Sequence, residues 1–207
     1  MFRDRLDAAR QLAGRLKNYQ GKHPLVLGIP RGAVPMAQMI AKELNGEFDV
    51  VLVRKLRAPG QAELAIGSVD ECGWTYLSDD AQAYGGTEDY LAAEKQAQMA
   101  TLRQRRAQYT PIRPPISPSG RIVIVVDDGL ATGATMISAL HGLRAKKPAR
   151  LICAVPVAPP DTLDRVAGLV DEMVCLEAPP YFRAVGQFYQ HFDQVNDDEV
   201  IEILKKS

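Results

Sequence analysis

A run of five β-branched apolar residues, Ile122–Val126, constrains the fold of this chain more than any other stretch. So short and uniformly apolar a run is typical of a strand that is buried on both faces, as in the middle of a parallel sheet. A turn of small residues follows, and apolar residues then recur at helical spacing from Met136. The pattern predicts an α/β fold, doubly wound, with a mainly parallel central sheet flanked by helices.

The turn between this strand and its helix combines acids with small and hydroxyl residues. Two carboxylates, Asp127 and Asp128, come first, and the small and hydroxyl residues that follow are Gly129, Ala131, Thr132, Gly133, Ala134 and Thr135. The first amide groups of a helix lack intrahelical partners and lie at the positive end of its dipole, so the turn predicts a phosphate cradle. The acids would repel a phosphate and suit ribose hydroxyls or a hydrated Mg²⁺ instead.

Two common phosphate-binding motifs do not account for this turn. A Walker loop needs a Gly-Lys-Ser/Thr sequence, and Ala134 stands where the lysine would be. A dinucleotide fingerprint needs Gly-x-Gly-x-x-Gly after the strand, which the chain lacks. An ordinary strand-to-helix turn explains the glycines but not the paired acids.

The segment Val125–Thr135 resembles the phosphoribosyl pyrophosphate (PRPP) motif of the type I phosphoribosyltransferases. Its pattern is several apolar residues, two acids and then Thr-Gly-x-Thr. The resemblance implies a single phosphoribosyltransferase-like domain over residues 1–207, with an insertion at about 58–120 and a C-terminal hood and tail at about 177–207. It also implies a cytoplasmic homodimer that binds PRPP and a small-molecule acceptor, with Mg²⁺ as cofactor.

Cations follow two other predicted strands. Leu25–Ile29 runs into Pro30, Arg31 and Gly32, and Asp49–Val53 runs into Arg54, Lys55 and Arg57. Basic clusters are usually solvated surface, but cations at the carboxyl edge of a parallel sheet would face the ligand and neutralise an anionic leaving group. The resemblance implies that the loop at Arg31–Gly32 holds the pyrophosphate and contains a strained peptide.

The resemblance also distributes the roles of the site. The backbone and hydroxyls of Ala131–Thr135 would hold the 5-phosphate, and Asp127 and Asp128 would hold the ribose hydroxyls and stabilise positive charge on the ring. Arg31, Gly32, Arg54 and Lys55 would receive the pyrophosphate. Mg²⁺ would come with PRPP, near Asp127 and Asp128 but without a dedicated protein site.

The insertion has a hairpin and a long helix. Ile66–Val69 and Trp74–Leu77 predict a hairpin, and the resemblance implies that Leu56–Leu77 closes over the site. Thr87 caps a helix predicted over Glu88–Tyr109. The basic residues of this helix are typical of a solvated face, and a partner-binding or dimerisation arm is the sharper alternative.

The C-terminal tail is irregular and aromatic. Tyr181, Phe182 or Phe188 would either stack on a flat acceptor base or belong to the core. Family members that act on hypoxanthine or guanine usually carry an acid where this chain has Ala131, so the resemblance does not favour a 6-oxopurine. The acceptor stays open.

Composition argues against nucleic acid and membranes as partners. The formal net charge is zero and the pI about 6.8, which gives no electrostatic case for nucleic acid or a membrane surface. The odd number of cysteines, three, indicates free thiols in a reducing compartment.

A non-catalytic PRPP- or nucleotide-binding regulator fits the motif equally well. A phosphatase with Asp128 as nucleophile fits less well, because Leu130 replaces the second acid that such enzymes usually need.

Overall fold

The computed structural model describes residues 1–207 and contains eight strands and six α-helices. In chain order these are α1 Arg5–Arg15, β1 Leu25–Gly28, α2 Val34–Leu44, β2 Glu47–Val50, β3 Val53–Ala58, β4 Gln61–Asp70, β5 Thr75–Leu77, α3 Glu88–Tyr109, β6 Ile122–Val126, α4 Ala134–Ala145, β7 Arg150–Val157, α5 Pro160–Ala167, β8 Glu172–Glu177 and α6 Asp197–Lys205. No helix is long and apolar enough to cross a bilayer.

The central sheet has five strands in the order β2-β1-β6-β7-β8, and every neighbouring pair is parallel. The apolar run Ile122–Val126 forms β6 at the middle of the sheet. The predicted α/β class with a mainly parallel sheet flanked by helices is therefore confirmed.

Both faces of the sheet are covered by apolar cores. Val26, Ile124 and Ile152 lie in the core that α1 and α2 share with the sheet. Their strand neighbours point the other way, and Leu27 and Val125 pack with residues of α4 on the opposite face. Because successive side chains of a strand point to opposite faces, this double burial explains why β6 contains no polar residue.

A second, antiparallel sheet of three strands follows β2 in the order β3-β4-β5. The predicted parallel strand Asp49–Val53 was wrong in its bounds: β2 ends at Val50, and Val53 begins β3 of the second sheet. Arg54, Lys55 and Arg57 therefore lie within an antiparallel hairpin and not at the carboxyl edge of a parallel strand. The predicted hairpin of Trp74–Leu77 with the preceding strand is confirmed as β4 and β5, although β4 begins earlier, at Gln61.

The second sheet is fastened to the first through α4. The buried Ser68 hydroxyl donates to the Ala134 carbonyl at 2.5 Å and lies 2.5 Å from the Ser138 hydroxyl. The Trp74 ring stacks on His141 with 3.6 Å between centroids. The hairpin is thus held on the helix that follows the paired acids.

Helix α3 covers the outer side of this hairpin with the bounds predicted for it. The Thr87 hydroxyl accepts the amide of Tyr90 at 3.3 Å and caps its first turn. Leu102 and Tyr109 are buried against the hairpin and the α2 side of the core.

Strand register places two loops beside each other. Gly28 at the end of β1 lies opposite Val126 at the end of β6, and the Ile29 amide donates to the Val126 carbonyl at 3.1 Å. The loops that start at Pro30 and at Asp127 therefore leave the sheet at the same level. The N-terminus holds the tail above this edge, because the Phe2 amide donates to the Phe188 carbonyl at 2.8 Å.

Candidate functional site

A cavity of about 620 Å³ lies at the carboxyl edge of the central sheet. Five stretches of chain meet there: the start of α1, the loop after β1, the hairpin, the loop after β6 and the tail. The residues that line it are Arg5, Ile29, Pro30, Arg31, Gly32, Lys55, Glu63, Asp127, Asp128, Gly129, Leu130, Ala131, Thr132, Gly133, Ala134, Thr135, Arg183, Ala184, Val185, Gly186, Phe192, Gln194 and Val195. The structure brings together every site residue predicted from the sequence except Arg54.

The loop after β6 presents unpaired amide groups. The amides of Ala131, Thr132 and Gly133 donate to no protein acceptor. The carbonyls on the outer side of the loop are occupied, because Thr162 Oγ1 donates to the Ala131 carbonyl at 2.7 Å and Arg165 Nη1 to the Thr132 carbonyl at 3.0 Å. With its carbonyls tied to α5 and its amides free at the N-terminus of α4, the loop has the chemistry of an anion cradle.

Gly133 is required by the shape of this cradle. Its φ of 78° lies in the left-handed region, which favours glycine. A Cβ at this position would lie 2.9 Å from Thr162 Cγ2, so a side chain would also push α5 away from the loop.

The two acids lie at the floor of the cavity, partly buried. Asp127 Oδ1 accepts the amide of Asp128 at 2.9 Å, and Asp128 Oδ2 accepts Arg5 Nε at 2.9 Å. Burial, and then the negative charge of Asp128, raise the pKa of Asp127 well above its ordinary value. Burial also raises the pKa of Asp128, and the charge and hydrogen bond of Arg5 oppose that rise. The pair therefore favours partners that donate hydrogen bonds or carry positive charge.

A magnesium ion fits this pair only as an ion shared with a ligand. No group of three or more His, Cys, Asp or Glu side chains in the chain is arranged to hold a metal. Mg²⁺ is commonly bound through one or two carboxylates together with phosphate oxygens of the substrate. Asp127 and Asp128 supply the carboxylates, and their mutual repulsion is what a cation would relieve.

The loop after β1 faces the acids with a cation and a glycine. Arg31 Nη1 lies 3.6 Å from Asp197 Oδ2 at the start of α6, and its side chain is 29% exposed. A cis peptide bond lies between Pro30 and Arg31, one peptide before the Arg31–Gly32 bond for which the resemblance implied strain. A Cβ on Gly32 would collide with the Asp128 carboxylate, so the two loops approach each other more closely than any other residue would permit.

The two cations predicted to lie together after β2 separate in the structure. Lys55 lines the cavity, but Arg54 does not. Arg54 Nε donates to Gln98 Oε1 at 2.8 Å, which ties β3 to α3. Burial and the neighbouring Arg105 lower the pKa of Arg54. Consecutive residues of a strand point to opposite sides, so a hairpin at this place can send only one of the two toward the ligand.

One residue of the cavity and one residue that supports it had no signal in the sequence. Arg5 reads as a surface residue at the start of an amphipathic helix, yet its side chain is only 13% exposed and pairs with Asp128. Tyr189 is buried, and its hydroxyl donates to the Asp128 carbonyl at 2.6 Å. Both contacts join segments far apart in the chain, which local patterns do not report.

The aromatic residue of the cavity is not one of those predicted. Tyr181 is 87% exposed, and Phe182 packs on Phe188 with 5.2 Å between ring centroids. Phe192 lines the cavity instead, with the Arg5 guanidinium carbon 4.0 Å from its ring centroid. An aromatic residue of the tail does line the cavity, but Phe192 comes later in the chain than the three aromatic residues named from the sequence.

Comparison with known proteins identifies a family model over nearly the whole chain. The phosphoribosyl transferase domain matches residues 3–192. A Mycobacterium tuberculosis H37Rv protein named "Putative phosphoribosyl transferase Rv0571c" is 44% identical over 209 residues. That match covers 100% of this chain and 47% of the mycobacterial protein, so the chain spans about half the length of the curated relatives it matches.

A solved structure of a relative gives the same picture of the fold. The crystal structure of TT1426 from Thermus thermophilus is 43% identical and superposes with a TM-score of 0.81 over 99% of this chain and 98% of that one. A purine phosphoribosyltransferase from Pyrococcus horikoshii Ot3 is more distant, at 16% identity and a TM-score of 0.47 over 87% of this chain and 94% of that one. The distant likeness does not bear on the acceptor.

Proposed function

This chain belongs to the phosphoribosyl transferase domain family, and from that premise we propose that it transfers the phosphoribosyl group of PRPP to an acceptor nitrogen with release of pyrophosphate. The acceptor class is a nucleobase or a related nitrogen base. The observation that carries the proposal is the cavity in which an amide-lined cradle, a pair of acids and the Arg31–Gly32 loop face one another.

The cradle takes the 5-phosphate. The free amides of Ala131, Thr132 and Gly133 at the N-terminus of α4 match an anion in charge and in hydrogen-bond direction. The hydroxyls of Thr132 and Thr135 line the same wall and add donors. This end of PRPP is not altered in the reaction, so its binding energy serves to fix the position of the sugar.

The two acids take the ribose. Hydroxyl groups donate to carboxylates, and the half-buried Asp127 and Asp128 offer four oxygens of which only two accept hydrogen bonds within the protein. Cleavage at the sugar carbon passes through an oxocarbenium-like transition state, as in glycoside hydrolysis. Negative charge held beneath the ring stabilises the positive charge that develops there.

The leaving group lies at the other end of the cavity. Gly32 allows close approach to the backbone after β1, and Arg31 and Lys55 supply positive charge from two different walls. Arg54 is left out of this group because its guanidinium is bonded to Gln98. Mg²⁺, bound by pyrophosphate oxygens near Asp127 and Asp128, would neutralise part of the leaving group's charge.

The hood over the acceptor consists of the tail and the N-terminal segment. Val185 packs against the loop after β6, since a Cβ on Gly129 would lie 2.6 Å from Val185 Cγ1. Arg183, Phe192 and Gln194 complete the wall with a cation, an aromatic face and an amide. Such a wall suits a flat heteroaromatic acceptor with polar edges without selecting one base. A homodimer in the cytoplasm remains part of the proposal.

The test is pyrophosphate release from PRPP and Mg²⁺ with a panel of nucleobases and small amines, measured alongside equilibrium binding of PRPP. We expect release that depends on one acceptor class. Asp127→Asn combined with Asp128→Asn should abolish it and weaken PRPP binding by about 100-fold or more, because both ribose contacts lose their charge. Asp164→Asn, on the exposed side of α5, is the matched control and should behave as wild type.

Each other outcome has a defined meaning. Tight PRPP binding without release for any acceptor would favour a regulator of the same fold. Failure of the wild-type protein to bind PRPP would reject the proposal, and so would a double Asn variant that binds PRPP as tightly as wild type.

A further inference from the structure

Arg5 is a wall residue of the cavity that comes from the N-terminal helix. It is the first residue of α1, and its helix is fixed by Ala8 and Leu12, which are fully buried against the sheet. Asp4 caps the same turn by accepting the amide of Asp7 at 2.8 Å. The backbone of Arg5 is therefore held in place, and only its side chain is free to choose between partners.

The guanidinium of Arg5 is not fully used by the protein. Nε donates to Asp128 Oδ2 at 2.9 Å, and Nη1 donates to the Asp193 carbonyl at 2.5 Å. Nη2 donates to no protein acceptor. One face of the group lies on Phe192, with the guanidinium carbon 4.0 Å from the ring centroid, so a small displacement parallel to the ring keeps this contact.

The edge of the guanidinium that contains Nε and the free Nη2 faces the loop that the proposed function assigns to pyrophosphate. Nε and Nη2 each lie 3.1 Å from the position that a Cβ on Gly32 would occupy. The Asp128 carboxylate is the third group at this point. Arg5 thus stands between the acid that would bind the ribose and the backbone that would bind the leaving group, in contact distance of both.

Charge balance differs between the free site and the occupied one. In the free protein two neighbouring acids carry like charge, and Arg5 compensates Asp128. Ribose hydroxyls would give Asp128 new donors, and a pyrophosphate beside Gly32 would place several negative charges next to Nη2. An arginine can donate to two phosphate oxygens with its planar fork, which makes phosphate a strong competitor for this group.

We propose that Arg5 is a pyrophosphate-binding residue that rests on Asp128 in the free protein and turns to the pyrophosphate when that group lies beside Gly32. This inference rests on the proposed function and adds to the pyrophosphate site a residue from the N-terminal helix. A small slide over Phe192 carries the guanidinium from one partner to the other.

Titration calorimetry with two probes separates this role from a structural one. Mg-pyrophosphate and ribose 5-phosphate are titrated separately into wild type, Arg5→Gln, Arg5→Lys and Arg10→Gln at pH 8. We expect Arg5→Gln to weaken Mg-pyrophosphate binding by about 10- to 100-fold, the range for losing hydrogen bonds to a charged group. Ribose 5-phosphate should bind as tightly as to wild type or more tightly, because Asp128 has lost a competing partner.

The other two variants serve as controls. Arg5→Lys keeps the charge but loses the fork, so its loss of Mg-pyrophosphate affinity should be intermediate and should show that the site is still folded. Arg10 lies exposed on the same helix without an ion pair, and Arg10→Gln should match wild type with both probes.

Two results would overturn the inference while leaving the transferase intact. Unchanged Mg-pyrophosphate affinity in Arg5→Gln would make Arg5 a fixed partner of Asp128. Parallel loss of both probes would mean that the substitution disturbs the whole cavity. Wild-type protein that fails to bind PRPP would instead reject the proposed function, and the role of Arg5 with it.

Discussion

At the scale of single residues, the paired acids show a conflict between function and stability. Asp127 has a raised pKa, so the folded protein holds a proton there that the unfolded chain releases at lower pH. The contribution of this group to stability is favourable below the unfolded pKa, near 3.8, and is lost as pH rises through the folded pKa. Above the folded pKa the charged pair therefore destabilises the folded state.

We expect Asp127→Asn to stabilise the ligand-free protein while it weakens PRPP binding. Asparagine keeps an oxygen for the Asp128 amide but carries no charge, so we expect a gain of about 1 kcal/mol, or roughly 2–4 °C in melting temperature. The gain should grow as pH rises above the unfolded pKa, near 3.8, and level off above the folded pKa, which thermal melts at a series of pH values from 4 upward would measure.

Asp171 provides a control of opposite sign. The hydrogen bond from the Leu151 amide, and then that from Arg144, lower its pKa, so its contribution is present above the unfolded pKa and is lost as pH falls. Asp171→Asn should lower the melting temperature at pH 7. An Asp127→Asn variant that melts below wild type at pH 8 would contradict our account of the pair.

At the scale of elements, a buried hydrogen-bonded contact at Ser68 helps to fasten the hairpin to α4. Ser68 of β4 donates to the Ala134 carbonyl, and the Ser138 hydroxyl lies within hydrogen-bond distance of it. Ser68→Ala would leave Ser138 without its partner in a dry environment, so we expect a loss of about 1–3 kcal/mol and faster amide exchange in β3–β5. Hydrogen exchange with mass spectrometry would locate the change.

A double-mutant cycle tests that contact. Ser138→Ala removes the other hydroxyl, and the double variant leaves no orphaned group, so its cost should be smaller than the sum of the two single costs. Strict additivity would show that the two hydroxyls do not depend on each other.

The elements themselves differed in how far the sequence could predict them. The long helix Glu88–Tyr109 and strand β6 were predicted with the observed bounds, because a capping threonine and an uninterrupted apolar run are local signals. The segment from Asp49 to Ala58 contains no glycine or proline to mark the change of sheet at Val53. It therefore read as one strand, and the placement of Arg54 was wrong for that reason.

At the scale of the whole molecule, the two sides of the cavity were predictable to different degrees. The cradle and the acids form one continuous motif, and every residue of it lines the cavity. The wall that contains Arg5 and Phe192, and the Tyr189 contact that supports the Asp128 carbonyl, are assembled from both ends of the chain. Contacts between distant segments leave no periodic pattern in the sequence, so only the folded structure shows that these residues lie together.

Phe2 connects those two ends, and the last prediction concerns its removal. Its ring is 1% exposed and lies 5.5 Å from the ring of Tyr189, whose hydroxyl supports the Asp128 carbonyl. Phe2→Ala should cost about 3–5 kcal/mol of stability, as large-to-small changes in cores do. Because the same residue positions Tyr189, PRPP affinity should fall as well, while Phe2→Leu should retain most of both.

Ligand-dependent melting would separate those two effects. A ligand at 100 times its dissociation constant stabilises the folded state by about 2.7 kcal/mol, so PRPP should raise the melting temperature of wild type at saturating concentration. Leu204, at the C-terminal helix and equally buried, gives a matched control: Leu204→Ala should lower the melting temperature but leave the PRPP-induced rise intact. If Phe2→Ala kept the full rise, the N-terminus would stabilise the fold without organising the site, and the closure of the cavity would depend on the tail alone.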